Sequence, residues 1–112
     1  MSLDSFNSKR TLTAEGNDYA FYSIDAAAQE GVGEVSRLPV SLKILLENLL
    51  RFEDAVTVTS DDIRALGDWV ANPPDAQEIA YRPARVLMQD FTGVPGVADL
   101  AAMRSAVVDA GH

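Results

Sequence analysis

Five leucines in the stretch SLKILLENLLRFE, residues 41–53, most constrain what this chain can fold into. Leu42, Leu45, Leu46, Leu49 and Leu50 fall at i, i+3, i+4, i+7 and i+8, one apolar stripe on an α-helix. A leucine stripe at this period predicts a core-facing helix rather than a ligand site. Pro39 suits the first turn or the position before it, and Ser41 is read as the N-cap. Glu47 lies four residues after Lys43 and four before Arg51, so ion pairs are expected on the exposed side.

The flanking sequence divides by its turn residues. Residues 1–17 are polar with scattered apolar positions and are expected to form a poorly ordered N-terminal arm. DYAFYSI, 18–24, reads as a short extended segment, with Tyr19, Phe21 and Ser23 on one side and Ala20, Tyr22 and Ile24 on the other. DAAAQEGVGEVSR, 25–37, predicts a short helix stopped by Gly31 and Gly33. In TSDDIRALGDWVANPP, 59–74, the oxygens of Thr59, Ser60 and Asp61 offer a cap to a helix carrying Ile63, Leu66 and Trp69 on one side. Pro73-Pro74 forbids its continuation. Asp61-Asp62 has the look of a metal-binding pair, but acidic residues at a helix start are favoured by the dipole, which is the reading preferred here.

The most site-like stretch is LMQDFTGVPGV, 87–97. Ala84–Met88 is apolar and β-branched enough for a strand begun by Pro83 and ending at Asp90. Arg85, Leu87 and Gln89 would then point one way, and Val86, Met88 and Asp90 the other. Thr92-Gly93 predicts a turn, and VADLAAMRSAVVDAG, 97–111, a helix with Val97, Leu100, Ala101, Val107 and Val108 aligned and Gly111 at its stop. The carboxyl end of a strand and the start of a helix face one crevice in α/β proteins. Gln89 would bring a donor and an acceptor there, suited to a carboxylate or hydroxyl of a small polar ligand. Asp90 and Thr92 would brace the turn, and Gly93 would allow close approach. The plain alternative is that these side chains satisfy loop amides. GVPG, 93–96, lacks the glycine spacing and Lys-Ser/Thr of a phosphate loop.

Composition removes whole classes of chemistry from these 112 residues. There is no cysteine, and the one histidine is His112. Disulfides, a thiolate nucleophile, cysteine-held clusters, histidine metal sites and a charge-relay triad therefore cannot be built from them. With 17 acidic against 9 basic residues the net charge is −8, and Arg82, Arg85 and Arg104 are too scattered to make a basic patch. Nucleic-acid binding is not expected. MSLDSFNSKR lacks the apolar core of a signal peptide and no run approaches a membrane span, so a cytoplasmic protein without membrane association is expected.

RPARVLMQDFTGVPGVADLAAMRSAV, 82–107, closely resembles a segment near the N-terminus of aconitase A (aconitate hydratase) and the cytosolic aconitase/iron regulatory protein group. RLPVSLKILLENLLR, 37–51, resembles the leucine-rich helix preceding it in that family, and DIRALGDW, 62–69, the short helix between them. The resemblance covers nearly all of 18–110 in order, and MQDFTGVP is its most specific part. It implies an α/β fold: the incomplete N-terminal part of an aconitase-type three-layer α/β/α domain, mostly helical with one strand at 84–90. Residues 18–112 would be the N-terminal portion of that family's first domain.

The resemblance further implies a lyase interconverting citrate and isocitrate through cis-aconitate, with a [4Fe–4S] cluster as Lewis acid. It places one substrate contact in this chain, on Gln89, and implies no catalytic residue and no metal ligand here. The family is several times longer, and its cluster cysteines lie in sequence beyond these residues. The chain is thus expected to be inactive alone and to have the rest of an aconitase as its partner. A stand-alone binding or regulatory module is the alternative, with RNA binding disfavoured by charge. The apolar strand at 84–88 and the helix at 97–111 are expected to leave a sizeable apolar patch uncovered.

Overall fold

The computed structural model describes residues 1–74, 76–87 and 90–111, giving the backbone alone at 90–93. The chain divides into two units, Met1–Arg82 and Pro83–His112. The first contains a hairpin of β1 (Lys9–Ala14) and β2 (Asn17–Tyr22), then α1 (Ile24–Gln29), a 3-10 turn at Val35–Arg37, α2 (Val40–Phe52) and α3 (Ser60–Gly67). The second contains α4 (Asp90–Asp109).

The leucine stripe organises the first unit. Leu46, Leu49 and Leu50 are fully buried on α2, with Leu42 and Leu45 packed at the margin of the same core. Each such leucine contributes roughly 1.5–3 kcal/mol relative to exposure. The core is completed by Phe6, Tyr22, Ala27, Val32, Val35, Leu38, Val58, Ile63 and Leu66, drawn from every element of the unit but β1. Pro39, not Ser41, occupies the N-cap position, and no side chain caps this helix. Arg51 pairs with Glu47 at 2.8 Å as expected. Lys43 instead donates to the Ser36 carbonyl at 3.0 Å.

Residues 1–17 are built in, contrary to the loosely ordered arm expected of them. Lys9–Ala14 pairs antiparallel with Asn17–Tyr22, from Lys9 opposite Tyr22 to Ala14 opposite Asn17. The connection is Glu15-Gly16, both at positive φ (51° and 79°), as a two-residue hairpin turn of matching twist requires. The strand escaped sequence reading because nearly all of its side chains are exposed, leaving no apolar alternation to read. Before the hairpin, the Leu3 N–H donates to the Glu53 carbonyl at 3.0 Å and the Ser2 hydroxyl to the Leu50 carbonyl at 2.7 Å. The Ser5 N–H donates to the buried Glu53 carboxylate at 2.9 Å. These bonds satisfy carbonyls and a carboxylate at the end of α2 that would otherwise lack partners.

The short helices form close to where the sequence places them, and each carries a side-chain cap, that of the first being unforeseen. Ser23 caps α1, accepting from the Ala26 N–H at 3.2 Å. Thr59 and Asp62 form a reciprocal capping box on α3: the Thr59 N–H donates to the Asp62 carboxylate at 2.8 Å, and the Asp62 N–H to the Thr59 hydroxyl at 3.3 Å. Asp61 faces Arg64 at 3.6 Å, so the acidic pair serves the helix start. Ile63 and Leu66 are buried, whereas Trp69 lies beyond the helix end and is 38% exposed. Gly67 closes α3 against the loop after α1. A Cβ there would sit 2.0 Å from the Val32 carbonyl oxygen, and one on Gly33 would sit 2.9 Å from the Gly67 carbonyl oxygen.

The α/β class stands, but its strands are the hairpin at 9–14 and 17–22. Residues 84–87 of the expected strand at 84–90 form no regular structure, Met88 and Gln89 lie outside the described residues, and Asp90 already opens α4. A strand needs a ladder partner, and among the described residues Ala84–Leu87 has none. The start of α4 precedes the predicted 97 because Asp, Thr and Gly serve helix starts as well as turns.

Replacement of Gly67 by Ala is expected to destabilise the chain by about 2–3 kcal/mol through forced separation of α3 from Val32. A urea midpoint equal to that of the parent chain would contradict the close approach.

Candidate functional site

Among the described residues, the first unit ends in a clasp around Arg82. The side-chain amide of Asn48, on the exposed side of α2, reads the Arg82 backbone in both directions. Its Nδ2 donates to the Arg82 carbonyl at 2.8 Å, and its Oδ1 accepts from the Arg82 N–H at 3.1 Å. The Arg82 guanidinium meets the Asp54 carboxylate at 2.9 Å, donates to the Thr57 hydroxyl, and lies over the Phe52 ring, 5.4 Å from its centroid.

The acidic partner is itself preorganised by the loop after α2. Asp54 Oδ1 accepts from the N–H groups of Val56, Thr57 and Val58 at 3.0, 2.7 and 3.0 Å, and Oδ2 from the Thr57 hydroxyl at 2.7 Å. The N–H groups of Asp54 and Ala55 return to the Val58 carbonyl, and Ala55 takes a positive φ of 59° to close the loop. The Val58 N–H, the Thr57 hydroxyl and the Val56 N–H hold the Asp54 carboxyl well below the usual carboxylate range, against a smaller opposing effect of burial. Sequence reading missed Asn48, Asp54 and Arg82 as a group. The available signal was an Asp three residues before a Thr, where side chain-to-backbone loops form.

Gln89, the one substrate contact expected from the sequence, lies outside the described residues. The backbone places its neighbour Asp90 at the first residue of α4, with Thr92 and Gly93 in the opening turns of that helix. The crevice expected between a strand end and a helix start therefore reduces, in the described residues, to the helix start. The first N–H groups of such a helix have no intrahelical acceptors and carry its positive dipole end. Pro95 lies inside α4 and donates nothing to the Phe91 carbonyl.

The rest of α4 is apolar without a buried face. Val94, Val97, Leu100, Met103, Val107 and Val108 are each more than half exposed, as is Val86, and Leu87 is 98% exposed. A helix whose apolar character has no preferred side is the kind found inside larger proteins. The apolar side chains are exposed individually, and the aligned face expected at Val97, Leu100, Ala101, Val107 and Val108 is not a distinct apolar side of this helix.

Aconitate hydratase A of Legionella pneumophila is 56% identical over 108 residues, covering 96% of this chain and 12% of that protein. The Pseudomonas aeruginosa protein of the same name is 56% identical over 110 residues, and that of Escherichia coli 60% identical over 100. The chain belongs to the aconitate hydratase A family, as a segment of it. No family model and no solved structure matches it. The aconitate hydratase segment spans about 12% of the length of the curated relatives it matches. Among its described residues no helix is long and apolar enough to cross a membrane.

The pH dependence follows from Asp54. A carboxyl titrating below its unfolded value of 3.8 contributes stability that is complete above that value and is lost as pH falls towards the folded one. Thermal melts of the segment are expected to drop between pH 4 and 2, and Asp54→Asn to flatten that limb. Equal acid sensitivity in the variant would show that other carboxyls carry it.

Proposed function

We propose that this segment forms one wall of the active site of an aconitate hydratase, the lyase that interconverts citrate and isocitrate through cis-aconitate. The observation carrying this reading is the match, at 56% identity over 96–98% of the chain, to proteins named aconitate hydratase A. Within that reading Gln89 is the substrate contact. Its carboxamide offers N–H donors and a carbonyl acceptor to a carboxylate or hydroxyl of the tricarboxylate. The position directly before the first turn of α4 supports an anionic ligand, since unpaired N–H groups and the dipole favour negative charge there.

The [4Fe–4S] cluster of such an enzyme does not fit the residues of this segment. The sequence contains no cysteine, and among the described residues no three His, Cys, Asp or Glu side chains gather as metal ligands. Cluster ligation and the hydration chemistry belong to other parts of the complete enzyme, and no step of it is assigned to this chain. Alone, the segment is inactive; its partner is the remainder of the aconitase, which covers the apolar surface of α4. A cytoplasmic setting agrees with this role.

In the complete enzyme, Gln89→Ala is expected to lower kcat/KM for citrate about 100-fold, the loss of a hydrogen bond to a charged group with the partner left unsatisfied. Unchanged kcat/KM at full cluster content would remove Gln89 from the site.

A further inference from the structure

The last stretch of the first unit, residues 76–82, lies against the helices without joining their hydrogen-bonded structure. Pro73-Pro74 end the run that follows α3 and have no N–H to donate. The Asn72 N–H still bonds the Asp68 carbonyl, at 2.9 Å. Among the described residues, the next hydrogen bonds along the chain are those of Arg82. Between these points the stretch faces a groove at α2 and α3. Leu42, Leu66 and Trp69 line one side of it, and Pro74, Ala76 and Ile79 the other, with about 270 Å³ of space between them. A gap of that kind forfeits much of the dispersion attraction that close packing gives. Ile79 and Ala80 are only half-buried, and Gln77, Glu78 and Tyr81 are exposed.

The hold on this stretch is therefore concentrated at one end. Asn48 pairs with both the N–H and the carbonyl of Arg82, as a neighbouring strand would. Asp54, Thr57 and the Phe52 ring take the guanidinium. The helices beneath do not need these contacts. Leu46, Leu49, Leu50 and Ile63 are buried within the unit's own core, while the Arg82 and Asp54 side chains are 46% and 34% exposed. Ion pairs so placed contribute little to global folding. We propose that residues 76–82 are a strap latched at Arg82, and that freeing Arg82 lifts the strap from the Leu42–Leu66–Trp69 groove while α2 and α3 stay folded. The occupant of the groove is thus the unit's own chain. Segments with few buried apolar contacts and few backbone bonds open at a free energy below that of the whole fold, and this strap has both properties.

The test is limited proteolysis of the complete aconitate hydratase with a glutamate-specific protease, the cut sites being mapped by mass spectrometry. Glu78 lies in the strap, whereas Glu47 lies within α2 and Glu53 at its end, where they report on the fold beneath. Cleavage of a transiently opened segment follows the population of its open form. Asn48→Ala, which removes both bonds to the Arg82 peptide, is expected to speed cleavage after Glu78 about 10-fold and to leave Glu47 and Glu53 as they were. Hydroxyl-radical oxidation of Trp69, 38% exposed with the strap in place, is expected to rise about 2-fold in the same variant. Arg82→Lys keeps the bonds to Asn48 and is expected to give a smaller increase in both readouts. Arg82→Ala provides the same comparison should Asn48→Ala fail to accumulate. Cleavage after Glu78 at the parent rate, or unchanged oxidation of Trp69, would overturn the strap. Equal acceleration after Glu78, Glu47 and Glu53 would overturn it too, by showing that the clasp holds the whole unit. No arm of the test depends on the reading of Gln89.

Discussion

The first 82 residues depend on the burial of one helix face. Leu46, Leu49 and Leu50 are removed from solvent on α2, and the other elements of this unit are placed by what they cover or satisfy on that helix. The N-terminal residues bond to the carbonyls and carboxylate at its end. The hairpin reaches it through Tyr22, whose ring underlies Arg51 at 5.3 Å. The third helix packs along it through Ile63 and Leu66, held close by Gly67 against Val32. Even the exposed side of α2 is used, since Asn48 receives the chain again at Arg82.

Residues 83–112 are built on the opposite principle. Their helix has apolar side chains that find no cover among the described residues, and Leu87 is almost fully in solvent. Such surface costs free energy in water and is spared that cost only inside a larger body. The curated relatives are far longer, and this chain spans about 12% of their length. The two units thus differ in kind: the first satisfies its own apolar and polar groups, and the second leaves the apolar side chains of α4 exposed.

Legibility in the sequence tracked how strongly each element was patterned. The leucine period of α2 and the cap chemistry of Thr59 gave local signals that the fold obeys, because burial and hydrogen bonding both act within a few residues, whereas the cap from Ser23 went unread. β1 was hidden because an exposed two-stranded hairpin needs no apolar alternation. The apolar run at 84–88 misled in the other direction: its composition suits a strand, but nothing in a local sequence states whether a ladder partner exists. Asp90, Thr92 and Gly93 were read as a turn since residues that cap helices also make turns. The Arg82 clasp joins positions 34 and 28 residues apart, a separation at which no spacing rule operates. The expectation for Gln89 rests on the MQDFTGVP resemblance more than on chemistry.

Hydrogen–deuterium exchange in the complete aconitate hydratase, with and without citrate, tests the central claim most directly. The account predicts that citrate slows exchange in the stretch around Gln89 and the first turn of α4, while the amides of α2, already protected by the buried leucine face, stay unchanged. Citrate that leaves the exchange of residues 86–93 as it was, while slowing it elsewhere in the enzyme, would contradict it.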